Sequence, residues 1–85
     1  HNGLADTMIN ELLLVLPQVC PKVQNLAISG NHLTDLIVPT LTSVVPQLKY
    51  LRKLHIGSNN FSMPQFHIVV ECCAKNGVLQ LYCKR

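Results

Sequence analysis

Three stretches of the chain carry apolar residues at helical spacing. They are Ile9, Leu12 and Leu16, then Val38, Leu41 and Val45, then Phe66, Val69 and Cys73. Each set follows i, i+3, i+7, the stripe by which an amphipathic helix buries one face. Around Leu26-Ala27-Ile28 and Leu54-His55-Ile56 the alternation instead has period two, the mark of a short strand with one face on a core. Leu79-Gln80-Leu81 repeats that alternation 25 residues after Leu54. The pattern predicts strand, asparagine-containing turn, helix and loop, repeated along the chain.

The elements recur in register. Leu26, Ile28, Asn31 and Leu33 are matched at an offset of 28 by Leu54, Ile56, Asn59 and Phe61. Asn2, Leu4, Asp6, Pro17 and Gln18 are matched at an offset of 29 by Asn31, Leu33, Asp35, Pro46 and Gln47, which places a one-residue slip in a loop between Pro17 and Val23. A period of this length means stacked units, none of which can close a core alone. Thr34 or Asp35, and Asp6, are candidate helix caps, and Ser62 can cap a helix that holds Pro64 in its first turn. Pro39 predicts a late start or a distorted entry for the second helix. Pro17 and Pro46 follow the last buried helical positions and predict helix ends there.

The motif LxxLxLxxNxL appears as Val23-Gln24-Asn25-Leu26-Ala27-Ile28-Ser29-Gly30-Asn31-His32-Leu33 and again as Leu51-Arg52-Lys53-Leu54-His55-Ile56-Gly57-Ser58-Asn59-Asn60-Phe61. This resembles the leucine-rich repeat, and the unit of 28 to 29 residues with a full helix is similar to its ribonuclease-inhibitor-like class. The resemblance implies an α/β solenoid, a right-handed horseshoe segment with short parallel strands on the concave side and helices on the convex side. Its parts would be a partial repeat 1–22, repeats 23–50 and 51–77, and a terminal strand 78–85, all within a longer solenoid. Asn2, Asn31 and Asn59 would form a ladder, each amide satisfying backbone groups of its own and neighbouring turns. His1-Asn2-Gly3-Leu4 aligns with Gly30-Asn31-His32-Leu33, so the chain opens inside a unit, and an exposed apolar edge is expected before the first helix. Lys84 is expected at the ladder position of the last unit.

Composition narrows the class. The 85 residues are 48% hydrophobic but only 13% charged, core-rich material for one small domain. The longest apolar run, Leu12 to Leu16, is far short of the roughly 20 residues of a membrane-spanning helix. Cys20, Cys72, Cys73 and Cys83 show no CxxC spacing and lie in apolar stretches, as reduced thiols used for packing do. They point to an intracellular chain, cytoplasmic or nuclear. The alignment of Cys72-Cys73 with Val15-Leu16 and Val44-Val45 argues for packing over zinc binding, over catalysis with His55 or His67, and over a Cys73–Cys83 disulfide. Asn60-Phe61-Ser62 matches a glycosylation acceptor but lies within the repeat motif. No phosphate-cradling glycine motif is present.

The net charge of +3 comes largely from Lys49, Arg52, Lys53, Lys84 and Arg85. That permits an acidic protein partner and is too sparse, with too few stacking aromatics, to favour nucleic acid. The outward strand row is expected to be Asn25, Ala27 and Ser29, then Lys53, His55 and Gly57, then Val78, Gln80 and Tyr82. Surfaces of this kind bind proteins in the family the chain resembles, which implies Lys53, His55, Gln80 and Tyr82 as partner contacts. No enzyme activity, cofactor or metal is expected. Two functions are consistent with this reading: a protein-interaction module, or a ligand-sensing or autoinhibitory segment of a larger receptor or enzyme of the NOD-like-receptor type.

Overall fold

Three short strands, β1 (Asn25–Ala27), β2 (Lys53–His55) and β3 (Gln80–Tyr82), form one parallel sheet in the order β1-β2-β3. These elements come from a computed structural model that describes residues 4–82. Parallel neighbours need a long crossover, and each is a helix: α2 (Val38–Val44) between β1 and β2, α3 (Met63–Lys75) between β2 and β3. Helix α1 (Leu4–Val19) precedes β1. The helices follow the strand order, α1 against α2 and α2 against α3.

The core lies between helices and sheet. Leu54 is fully buried, and Leu26 and Leu81 pack from the neighbouring strands against the same cluster, which also contains Leu13, Ile28, Leu33, Leu41, Val45, Val69 and Cys73. The turns after β1 and β2 are built alike. Gly30 and Ser58, 28 residues apart, both take a left-handed backbone, with φ of 73° and 58°. Glycine does so freely, whereas serine carries steric strain there.

The helix starts follow the proline chemistry. Thr34 caps a 3-10 turn, Asp35–Ile37, by accepting the Leu36 N–H on its Oγ1. The α-helix proper begins late, at Val38, which puts Pro39 in its first turn where a missing N–H costs little. Ser62 stands at the cap position of α3 with Pro64 just inside, but its side chain makes no capping bond.

Four expectations need correction. Pro17 does not end the first helix: α1 continues to Val19, and the Cys20 N–H closes its last turn on Leu16 O at 2.8 Å. A proline this near the end removes only one late bond. Asp6 is no cap but lies within the first turn of α1. Leu12 is not buried; it is 50% exposed, and Leu13 takes the core position. The third strand pairs Leu54 with Leu81 and Lys53 with Gln80, an offset of 27 and not 25. This buries Val78, removes it from the outward row and leaves Leu79 exposed. Asn2, Cys83, Lys84 and the end of the 78–85 segment lie outside the described residues.

Candidate protein-interaction surface

Alternation along the three strands sends every second side chain away from the core. The register sets them in two rows across the sheet: Asn25–Lys53–Gln80 and Ala27–His55–Tyr82. All but His55 are exposed, and His55 is half-buried. Parallel sheets generally have both faces covered, so an open polar face on one asks for an explanation.

The centre of that face is ordered by its own contacts. The His55 ring stacks on the Tyr82 ring with centroids 4.3 Å apart and planes within 9°. The Tyr82 hydroxyl donates to Gln80 Oε1 at 3.0 Å, which joins the two rows. Beside the stacked rings lies a shallow cleft bordered by Ser29, His55, Gly57, Ser58 and Tyr82. The two flat rings are held in one orientation, with hydroxyls and backbone at the rim.

Lys53 is the cation of this surface. Of the neighbouring cations Lys49, Arg52 and Lys53, Arg52 is engaged by the backbone: its Nη1 donates to Lys49 O and Leu51 O at 3.1 and 3.0 Å. That guanidinium holds the loop entering β2, and its backbone carbonyl accepts the Gln80 N–H at 3.0 Å.

Beneath the face, the turns are tied together by side chains. Asn59 Oδ1 accepts the N–H groups of Asn31 and Leu33, and Asn59 Nδ2 donates to Ile28 O and Ile56 O. Asn31 Nδ2 donates to Ile28 O and Ser29 O in its own turn. Asn59 thus links two successive turns, whereas the Asn31 amide serves its own turn. A second link was not foreseen. Asp6 Oδ1 accepts the Thr34 N–H and Oδ2 the Thr34 hydroxyl, both at 2.9 Å, while Asp35 Oδ1 accepts the Ser62 N–H at 2.8 Å. The matched positions of Asp6 and Asp35 were the available signal. Each carboxylate reaches forward to the entry of the following helix, where unpaired N–H groups attract an anion.

Cys73 faces the packed core and Cys72 borders it, whereas Cys20 is exposed. Cys73 is buried, and burial first, then the neighbouring Cys72, pushes its thiol pKa up to about 11. Burial also raises the Cys72 pKa, opposed by its hydrogen bond from Asn76 and by Lys75. Cys20, Cys72 and Cys73 are free thiols. Among the described residues no group of three or more His, Cys, Asp or Glu side chains could hold a metal, and no helix is long and apolar enough to cross a membrane.

Among curated proteins, Protein NLRC5 of Ictalurus punctatus is similar to the chain, 37% identical over 46 residues. The matched stretch is 54% of this chain, and the chain spans only 3% of that protein. No family model and no solved structure matches the chain.

Proposed function

We propose that the chain is a leucine-rich-repeat solenoid segment of the ribonuclease-inhibitor-like class, working inside the cell as a non-enzymatic module that binds another protein through its outward strand face. The repeated motif, the one-to-one strand register and the Asn31–Asn59 turn network support the repeat assignment. The observation that carries the function is the stacked His55–Tyr82 pair on an uncovered parallel sheet. In this reading Tyr82 and His55 are the anchor, Gln80 fixes the tyrosine, and Lys53 favours an acidic group on the partner.

A pull-down tests it. Capture by the unmodified chain should be lost when His55 and Tyr82 are both replaced by alanine and kept when Glu71, exposed on α3, is replaced. Equal capture by all three forms would move the site off the sheet.

The similarity to NLRC5 favours a second reading, in which the same face is a ligand-sensing or autoinhibitory segment of a larger receptor of the NOD-like-receptor type. There the double replacement, made in a longer parent protein, would raise its basal activity instead of abolishing capture of a separate partner.

A further inference from the structure

One position of the outward strand face has no side chain. Gly57 follows His55 by two positions and so continues the outward row of β2. Its counterpart one unit earlier, at an offset of 28, is Ser29, which is exposed. Gly30 and Gly77 take left-handed backbones, at φ of 73° and 77°, but Gly57 has no positive φ, so its conformation does not require glycine. Nor is it a bulge: the Ile28 N–H donates to His55 O and the Gly30 N–H to Gly57 O, at the same separation in sequence. A glycine that is neither left-handed nor bulged, in a regular stretch of ladder, is a place where another molecule can approach the backbone closely.

The space that Gly57 leaves is the cleft of about 200 Å³ bordered by Ser29, His55, Ser58 and Tyr82. The Ser29 and Ser58 hydroxyls have no hydrogen-bond partner among the described residues and can donate into it. His55 and Tyr82 each cover one face of the other, so a space that borders both meets their edges, the positive part of an aromatic ring. The chain's four acids, Asp6, Glu11, Asp35 and Glu71, all lie on helices or at a helix entry, which leaves the outward strand face with none. Its cation, Lys53, stands four positions back along β2, roughly 13 Å from Gly57 at strand spacing.

We infer that the cleft over Gly57 receives the carboxylate of an aspartate or glutamate side chain of the protein partner. The Ser29 and Ser58 hydroxyls donate to it, the edges of the His55 and Tyr82 rings flank it, and Gly57 sets the specificity by leaving the space open. Charge complementarity selects this occupant. An acid gains from each group around the cleft, whereas a lysine or arginine would meet positive ring edges on a face that carries no acid. The contact presupposes the strand-face reading and adds to it a place and a chemistry. Lys53 is a separate contact, because its charge is largely screened from the cleft at physiological salt over that distance.

The test is an NMR titration of the 85-residue chain with acetyl-Gly-Asp-Gly-amide, with its asparagine counterpart, and with acetyl-Gly-Gly-Gly bearing a free carboxylate. The aspartate peptide should shift the Ser29, Gly57 and Ser58 amides saturably and bind at least about tenfold more tightly than the asparagine peptide. Gly57→Val should weaken it at least about tenfold, since valine suits a strand and fills the space. Ser29→Ala, a change at an exposed position, should weaken it about fivefold, and Lys53→Met less than about threefold. Equal binding of the asparagine peptide would overturn the inference, as would no binding, or binding unchanged in both Gly57→Val and Ser29→Ala. Tighter binding of the free-carboxylate peptide would overturn the side-chain assignment, and loss of binding in Lys53→Met would overturn the cleft by moving the acid to that residue. Partner capture separates the cleft from the face. Capture lost with His55→Ala and Tyr82→Ala but kept with Gly57→Val rejects the cleft alone. Capture indifferent to all three, with the peptide shifts as expected, supports the cleft and rejects the strand-face reading.

Discussion

Asn59 Oδ1 accepts the backbone N–H of Leu33 at 2.8 Å across 26 residues of sequence. The same side chain accepts from Asn31 and donates to Ile28 and Ile56, so one amide serves four backbone groups in two successive turns. Asn59→Ala would leave those groups to find water in a half-buried turn, at a cost of about 2–4 kcal/mol. Asn59→Asp should cost a similar amount near neutral pH, because a carboxylate accepts both N–H bonds but cannot donate to the two carbonyls. Urea unfolding of both variants checks this, and a loss below about 0.5 kcal/mol in either would mean that the turn does not depend on the amide.

Asp6 is 5% exposed and accepts both the amide and hydroxyl hydrogens of Thr34, whereas the bond that Asp35 accepts from the Ser62 N–H is solvent-exposed. Asp6→Ala is expected to destabilise by about 1–3 kcal/mol and Asp35→Ala by clearly less. The comparison is made by the urea midpoints of the two variants at one ionic strength.

Ser58 holds a left-handed backbone where the preceding unit has Gly30. Ser58→Gly should therefore stabilise the chain by about 0.5–1 kcal/mol, since relief of strain outweighs the added freedom of the unfolded chain. The Tm would rise by a few degrees, and a fall in Tm would show that the serine side chain contributes more than its backbone costs.

The cysteines should differ in reactivity. With its pKa near 11, Cys73 is about a hundredfold poorer in thiolate than an ordinary thiol of pKa 9 well below both values. Alkylation at pH 8, mapped by mass spectrometry, is expected to modify exposed Cys20 first, Cys72 later and Cys73 only on unfolding. The linkage has a definite sign. A thiol whose folded pKa is raised favours the folded state up to the unfolded pKa and loses that advantage as pH climbs from 9 towards 11. Cys73→Val should flatten the decline of Tm in that window.

His55→Ala with Tyr82→Ala should weaken partner binding at least about tenfold while leaving Tm within about 3 °C, because both rings stand on the solvent face of the sheet. A large loss of Tm would instead make the stack a structural element.

Repetition made much of this molecule legible in its sequence. Leu26, Leu54, Ile28, Ile56, Asn31 and Asn59 recur because each unit meets the same neighbours, so period and position determine their surroundings. The failures fall where a neighbour changes. Leu12 has the spacing of a core residue, but burial at that place requires a helix in front of it, and spacing within one helix does not report that. The third strand's alternation over Leu79-Gln80-Leu81 sets Leu79 against Leu54, whereas the observed register sets Leu81 there. A left-handed turn at Gly77, with φ of 77°, precedes the strand, and in the observed register the counterpart of buried Leu51 is buried Val78. The His55–Tyr82 stack depends on that register, which is why both residues were identifiable as outward-facing while their pairing was not.

Site-specific photo-cross-linking tests the central claim most directly. A photoreactive side chain is placed singly at positions 53 and 80 of the outward strand face and at position 71 on α3, and each form is irradiated with cell extract. A discrete protein adduct from positions 53 and 80, absent from position 71 and suppressed by Tyr82→Ala, is the predicted result. Adducts from position 71 alone would contradict the account and place recognition on the helices.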